Sequence, residues 1–166
     1  MYYFKIKEYY LLGDRMNLKK LFISVLIPLG LGTLVGLLTS SFTNYSDFIK
    51  PSFAPPGIVF PIVWTILYTL MGISSYIIGE SNSYRKRKAL SIYRIQLIFN
   101  ILWSFIFFVF NLKTLAFIWI LVLIVMVGLM IKEFLSINKT AGYLQIPYLL
   151  WLIFASILNL SIIFLN

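Results

Sequence analysis

Long uncharged stretches alternate with short charged ones along this chain. Leu21 to Ser46, Pro51 to Gly79, Ile95 to Leu112, Thr114 to Ile131 and Thr140 to Asn166 contain no Asp, Glu, Lys or Arg. A helix rises about 1.5 Å per residue, so about 20 apolar residues cross the hydrocarbon core of a bilayer. The runs predict spanning helices near residues 20–41, 58–79, 90–110, 114–134 and 142–164. Only Asn111, Leu112 and Lys113 separate the third span from the fourth, which predicts an antiparallel helical hairpin. A closed barrel is the other way to satisfy the backbone in lipid, but barrel strands alternate apolar and polar residues, and runs such as Ile118 to Val127 do not. The pattern therefore predicts an all-α membrane protein, a five-transmembrane-helix bundle.

The first span is too long for a signal peptide, and the following "TSSFTNYSDF" has no small-x-small cleavage pattern. Residues 1–19 read as a cytoplasmic amino-terminal extension and residues 20–166 as a single membrane domain. Within that extension, "MYYFKIKEYYLLGDR" is out of character with the rest, whereas Met16, Asn17, Leu18, Lys19 and Lys20 make a compact entry to the first span. Translation is expected to start at Met16. Intact mass of protein expressed from its native upstream region checks this, and a product containing Met1 to Arg15 contradicts it.

Composition agrees with the pattern. Hydrophobic residues make up 61% of the 166 and charged ones 11%, against about 25% charged in soluble domains. The net charge of +9 is what a nucleic-acid binder would carry, but in so apolar a chain it reports membrane orientation, and no nucleic-acid partner is expected. With five spans, the amino terminus shares a side with the second and fourth connections. That side holds twelve of the fourteen Lys and Arg residues, and the other holds only Lys50 and Lys113. The positive-inside rule then predicts a cell-membrane, multi-pass protein with its amino terminus cytoplasmic and its carboxyl terminus outside. The run Arg85 to Lys88 reads first as a topology determinant and also as a contact for anionic lipid head groups.

Missing residue types exclude several chemistries. The chain has no Cys and no His, so disulfides, thiol chemistry, the commonest metal ligands and the commonest general base are unavailable. No metal site is expected. No span carries Asp, Glu, Lys or Arg near its middle, which argues against a proton relay, an ion-coupled carrier or a voltage sensor.

Aromatic residues are abundant, at 18% of the chain. Tyr9, Tyr10 and Trp119 read as interface-belt residues. Others lie in mid-span beside polar companions. Gln96, Asn100, Trp103 and Phe107 share one face of the third span at i, i+4, i+7 and i+11. Tyr148, Trp151, Ala155 and Leu158 share a face of the fifth, with Asn159 beside it, and Trp64, Tyr68 and Ser75 share one on the second. A side-chain amide in hydrocarbon needs a hydrogen-bond partner, so Gln96, Asn100 and Asn159 are expected to face the interior. Two readings remain open on pattern alone, interhelical packing or a pocket for a flat apolar ligand. Gly32 and Gly36, with Gly30 near by, form a small-xxx-small pair that serves packing within the bundle or a homodimer.

The stretch "KPSFAPPGIVFPIVWTILYTLMGISSY", Lys50 to Tyr76, resembles the signature of the translocator protein family, also called tryptophan-rich sensory proteins or TspO/MBR. "QLIFNILWSFIFF" (Gln96 to Phe108) and "IPYLLWLIFASILN" (Ile146 to Asn159) resemble two later segments of the same family, so the resemblance runs from about residue 40 to 160 in the correct order. It implies a five-helix membrane bundle that binds tetrapyrroles such as protoporphyrin IX; animal members bind cholesterol and synthetic drugs. It places Tyr45, Trp64, Asn100, Trp151, Ala155 and Leu158 at ligand-binding positions, to which the faces above add Tyr68, Gln96, Trp103 and Phe107. Tyr45 and the loop prolines Pro51, Pro55 and Pro56 would form a lid. Porphyrin is then a ligand rather than an obligatory cofactor, membrane lipid surrounds the chain, and a homodimer is in keeping with the family. Trp64 and Trp151 resemble the pair implicated in light-dependent porphyrin breakdown by bacterial relatives. They are catalytic candidates only if this chain is such an enzyme; a porphyrin or lipid transporter is the other alternative to a binding protein or sensor.

The chain departs from the family pattern at the lid, where Asn44 and Phe53 stand at Trp positions. Phe53 keeps the ring but lacks the N–H donor. Leu160 stands where the cholesterol motif of animal members has Tyr, and no basic residue follows it; cholesterol is not the expected ligand.

Overall fold

The computed structural model describes residues 16–42 and 48–166. Its helices are α1 (Leu18–Ser40), α2 (Val59–Glu80), α3 (Lys86–Ser104), α4 (Lys113–Ile137), α5 (Lys139–Tyr143) and α6 (Ile146–Leu165), with a π-helical turn, Phe105–Val109, extending α3. Five segments are long and apolar enough to cross a membrane: α1, α2, α3 with its π turn, α4, and α5 with α6. No strand occurs among the described residues. The protein is an all-α, five-span membrane bundle, as the uncharged runs predict.

Local chemistry sets the helix ends. The Asn17 side chain accepts a hydrogen bond from the Lys20 N–H at 3.0 Å and caps α1. The third span ends in a widened turn, where the Phe110 N–H donates to the Phe105 carbonyl at 2.9 Å. Asn111 then reverses the chain at φ 53°, in the left-handed region that Asn tolerates better than most residues. The expected antiparallel hairpin of the third and fourth spans follows directly. The fifth span differs from expectation because it begins earlier and is broken. Asn138 accepts from the Ala141 N–H at 3.0 Å and starts α5. Pro147 then lacks the N–H that would continue the ladder, so a new helix starts around it.

Spans run alternately up and down. Lys20 pairs with Glu80 at 2.9 Å, joining the start of α1 to the end of α2, and Lys88 pairs with Glu133 at 2.6 Å, joining the start of α3 to the end of α4. Partly exposed pairs of this kind add little stability, but they mark one end of the bundle. Lys19, Lys20, Arg85 to Lys88, Lys132 and Lys139 gather there, while Lys50 and Lys113 lie at the other end.

The buried residues of the main core come from every helix except α1, which adds only the partly buried Leu29. Leu67, Met71, Tyr93, Leu97, Leu123, Phe134 and Leu152 are among the buried ones. Only 11% of α1's apolar window is buried, against 33–39% for the other spans, so α1 leans on the bundle from outside. Its contact with α2 needs two glycines. A Cβ on Gly72 would strike the backbone of Val25, and one on Gly32 would strike the Tyr68 ring. Gly32 therefore serves packing within the bundle, whereas Gly30 and Gly36 have open space around them. Gly32→Leu is expected to cost the monomer about 1–3 kcal/mol through overpacking, and Gly36→Leu close to nothing. Melting of both variants in detergent checks this, and equal melting temperatures contradict it.

Candidate ligand-binding site

Three helices meet at a chain of buried polar groups. The Tyr68 hydroxyl on α2 donates to Asn100 Oδ1 on α3 at 2.8 Å. Asn100 Nδ2 donates to the Tyr148 hydroxyl on α6 at 3.1 Å, and that hydroxyl donates to Gln96 Oε1 at 3.0 Å. Every bond runs in one donor-to-acceptor direction. All four side chains are buried, Gln96 completely. The interior placement expected of Gln96, Asn100 and Asn159 is what the structure has. Asn159 reaches the first turn of α4, where its amide, turned so that nitrogen faces the Lys113 carbonyl and oxygen the Phe117 N–H, lies 3.2 Å from each. The chain leaves one loose end, because Gln96 Nε2 is buried without a partner.

Aromatic rings surround this chain. Trp64 stacks on Tyr68 with ring centres 5.1 Å apart and stands edge-on to Tyr148 at 6.2 Å. One turn away, Phe60 stands edge-on to Trp151 at 5.9 Å, and Trp151 lies 5.3 Å from Phe154. Both tryptophans are half-buried. The backbones of α2 and α3 scarcely approach that of α6, which packs instead on α4. Side chains, rings and amides rather than close backbone approach, thus join α2 and α3 to α6. Aromatic pairs prefer the offset or edge-on arrangements found here, at about 0.5–1.5 kcal/mol each beyond burial.

The remaining sequence candidates lie elsewhere or at the margin. Trp103 turns to α4, where its Nε1–H donates to the Ala116 carbonyl at 3.0 Å, and stacks on Phe107 at 5.1 Å. Phe107 meets Phe48 edge-on at 5.6 Å, and both share a second core cluster with Leu158. Of the face expected for Gln96, Asn100, Trp103 and Phe107, the two amides join the polar chain, while Trp103 and Phe107 stack on each other beside the second cluster. Ala155 packs at the edge of the main core beside Trp151. Ser75 is buried on α2 and donates to the Gly72 carbonyl at 2.9 Å. Tyr45 and Asn44 lie outside the described residues, as do Tyr9 and Tyr10. Trp119, expected at the membrane interface, braces two helices. Its Nε1–H donates to the Phe99 carbonyl at 2.8 Å, and its ring stacks on Phe99 at 4.6 Å.

The loop ahead of α2 covers the end of the bundle away from the basic cluster. Phe53 stands edge-on to Phe154 at 6.4 Å, a contact that needs no indole N–H. Asn166 clasps the loop, with Oδ1 accepting from the Ile49 N–H and Nδ2 donating to the Ile49 carbonyl, each at 3.0 Å. Sequence reasoning missed Phe60 and Phe154, although Phe60, Trp64 and Tyr68 recur every four residues. It placed Tyr148 on the right face without recognising it as the link between the two amides. Gln145, at the break between α5 and α6, was also missed; it is fully buried with neither amide atom bonded. Among the described residues no three His, Cys, Asp or Glu gather as a metal site.

Comparison with known proteins completes the description. The profile of the TspO/MBR family matches residues 24–165. The chain is 33% identical over 159 residues to the tryptophan-rich protein TspO of Chlorobaculum tepidum, covering 90% of this chain and 99% of that one. It is 36% identical over 153 residues to the tryptophan-rich protein TspO of Archaeoglobus fulgidus, covering 91% and 99%. A translocator protein of Ovis aries is 31% identical over 121 residues, covering 71% and 72%. With five spans in the expected order and a family match along nearly its whole described length, this chain belongs to the TspO/MBR family of multi-pass membrane proteins.

Proposed function

We propose that the protein binds a tetrapyrrole of the protoporphyrin IX type within the bundle, as a binding or sensory protein linked to porphyrin metabolism. The observation that supports this reading is the layer of aromatic rings and buried amides that joins α6 to the α2–α3 pair in place of close backbone contact. A flat aromatic ligand entering there exchanges ring–ring contacts for ring–porphyrin contacts of the same kind. Trp64 and Trp151 are the stacking walls, with Phe60 between them. Gln96 Nε2, buried and unbonded, is a donor for a pyrrole nitrogen or an edge substituent. Metal-free porphyrin suits the site better than haem, because a chain without His or Cys offers iron only weak ligands such as Tyr or Met. Mass spectrometry of small molecules that co-purify in mild detergent, followed by titration with protoporphyrin IX, tests the assignment. Absorption spectra of the bound ligand in light and in darkness separate simple binding from tryptophan-dependent photo-oxidation. Flux into sealed vesicles tests carriage across the membrane.

The orientation proposed with this function puts the basic end in the cytoplasm and Asn166 outside. In this cysteine-free chain, Ser52→Cys and Asn82→Cys place one exposed thiol at each end of the bundle. A membrane-impermeant maleimide applied to intact cells is expected to label Ser52→Cys and not Asn82→Cys. The reverse pattern overturns the topology.

A further inference from the structure

A concavity of about 650 Å³ opens between α1, α2 and α3 at the basic end of the bundle. Lys20, Lys86, Arg87 and Arg94 line it against a single carboxylate, Glu80. That carboxylate is already paired with Lys20 at 2.9 Å. Lys86 Nζ donates to the Gly79 carbonyl at 3.0 Å and closes the corner between α2 and α3. No described residue pairs with Arg87. Among the described residues, the groove therefore carries a surplus of positive charge over its one carboxylate.

Its polarity is graded along the helix axes. On α1 the lining runs from Lys20 to Ile23 and Ile27, one and two turns deeper. On α3 it runs from Lys86 and Arg87 through Leu90, Tyr93 and Arg94 to Leu97. Arg94 lies about 12 Å along the helix from Lys86, yet its guanidinium bonds backwards, Nε to the Leu90 carbonyl at 3.2 Å and Nη2 to Ser91 Oγ at 3.3 Å. That is the snorkelling geometry of a cation at the rim of the hydrocarbon layer. One wall of the groove is α1, the least buried of the spans.

We infer that this groove is a binding site for an anionic phospholipid of the leaflet at the basic end. The phosphate rests among Arg87, Arg94, Lys86 and Lys20, and one acyl chain lies along Ile27 and Leu97. Charge complementarity and the cation-to-apolar gradient carry the assignment. A soluble anion would use the rim and leave the apolar wall uncovered. A second protein copy would have to bring a matching acidic surface, and the chain has only five Asp and Glu residues in all. Basic pockets between spans on the cytoplasmic side are a recurrent way of holding such head groups.

The test is native mass spectrometry of the full chain purified in detergent and offered phosphatidylglycerol and phosphatidylcholine in equal amounts. Wild type is expected to retain phosphatidylglycerol preferentially. Arg87→Gln with Arg94→Gln is expected to lower that retention about thirtyfold, the effect of removing two membrane-facing cations. Lys132→Gln with Lys139→Gln removes the same charge from the same end outside the groove and is expected to leave retention unchanged. Ile27→Trp fills the apolar wall without altering charge and is expected to lower retention as well. The inference is overturned if both double variants lose retention equally, since attraction is then diffuse. It is also overturned if glycerol 1-phosphate displaces phosphatidylglycerol, which marks a soluble-anion site. Loss of a two-copy species from the groove variants alone, with lipid retention unaltered, assigns the groove to a protein interface and overturns it too.

Discussion

Asn100→Leu is expected to destabilise the bundle by about 2–4 kcal/mol, the largest effect of any single substitution of a polar side chain in the described residues. Leu has nearly the same volume, so the packing cost is small. The change removes the acceptor of the Tyr68 hydroxyl and the donor to the Tyr148 hydroxyl, which lie 2.8 and 3.1 Å from Asn100. The buried Tyr68 hydroxyl is left unsatisfied, which costs about 1–3 kcal/mol, whereas the Tyr148 hydroxyl still donates to Gln96 Oε1. Interhelical hydrogen bonds in membranes measure at about 0.6 kcal/mol on average, and the lost Asn100–Tyr148 bond adds about that much. Tyr148→Phe breaks the same chain from the α6 side and leaves the Gln96 amide with no partner at all, so it is expected to act in the same direction. Equilibrium unfolding in mixed detergent measures both. A change under about 0.5 kcal/mol for Asn100→Leu contradicts the view that this chain holds α2, α3 and α6 together.

The fold was legible because the bilayer imposes a strong rule. Spans must be long, uncharged and helical, and the five runs starting at Leu21, Pro51, Ile95, Thr114 and Thr140 satisfy it. The departures arise where local chemistry competes with that rule. Asn138 caps a helix inside what reads as a loop, and Pro147 restarts the ladder eight residues after Lys139. The π turn at Phe105–Val109 leaves no mark in hydropathy.

The site was legible in part. A buried amide must find a partner, so Gln96 and Asn100 were bound to point inward. Which partner they find depends on how three helices rotate about their axes, and that is decided by packing rather than by any one segment. Trp119 shows the same limit. A Trp near a span end has the composition of an interface anchor, and only the proximity of the Phe99 carbonyl, at 2.8 Å, makes it a brace. Gly32 was ambiguous between two kinds of close approach, and the Tyr68 ring against it settles where its space is used.

Fluorescence titration of protoporphyrin IX into wild type and the Trp64→Phe, Trp151→Phe double variant tests the pocket most directly. The chain has four tryptophans, so Trp103 and Trp119 still report quenching when the other two are replaced. Phe keeps an apolar face at both positions but loses indole area and the N–H donor. Each substitution is expected to weaken binding by roughly two- to tenfold, the equivalent of about 0.5–1.5 kcal/mol of stacking. The double variant is expected to lose up to the product of the two, with residual binding through Phe60, Tyr148 and the amides. If the protein also oxidises the ligand in light, photoproduct should disappear in the double variant while that residual binding persists. Melting the same samples separates loss of affinity from loss of fold. Saturable quenching in wild type with a clearly weaker constant in a folded double variant is the predicted result, and an unchanged constant in a folded double variant contradicts the assignment of Trp64 and Trp151 as pocket walls.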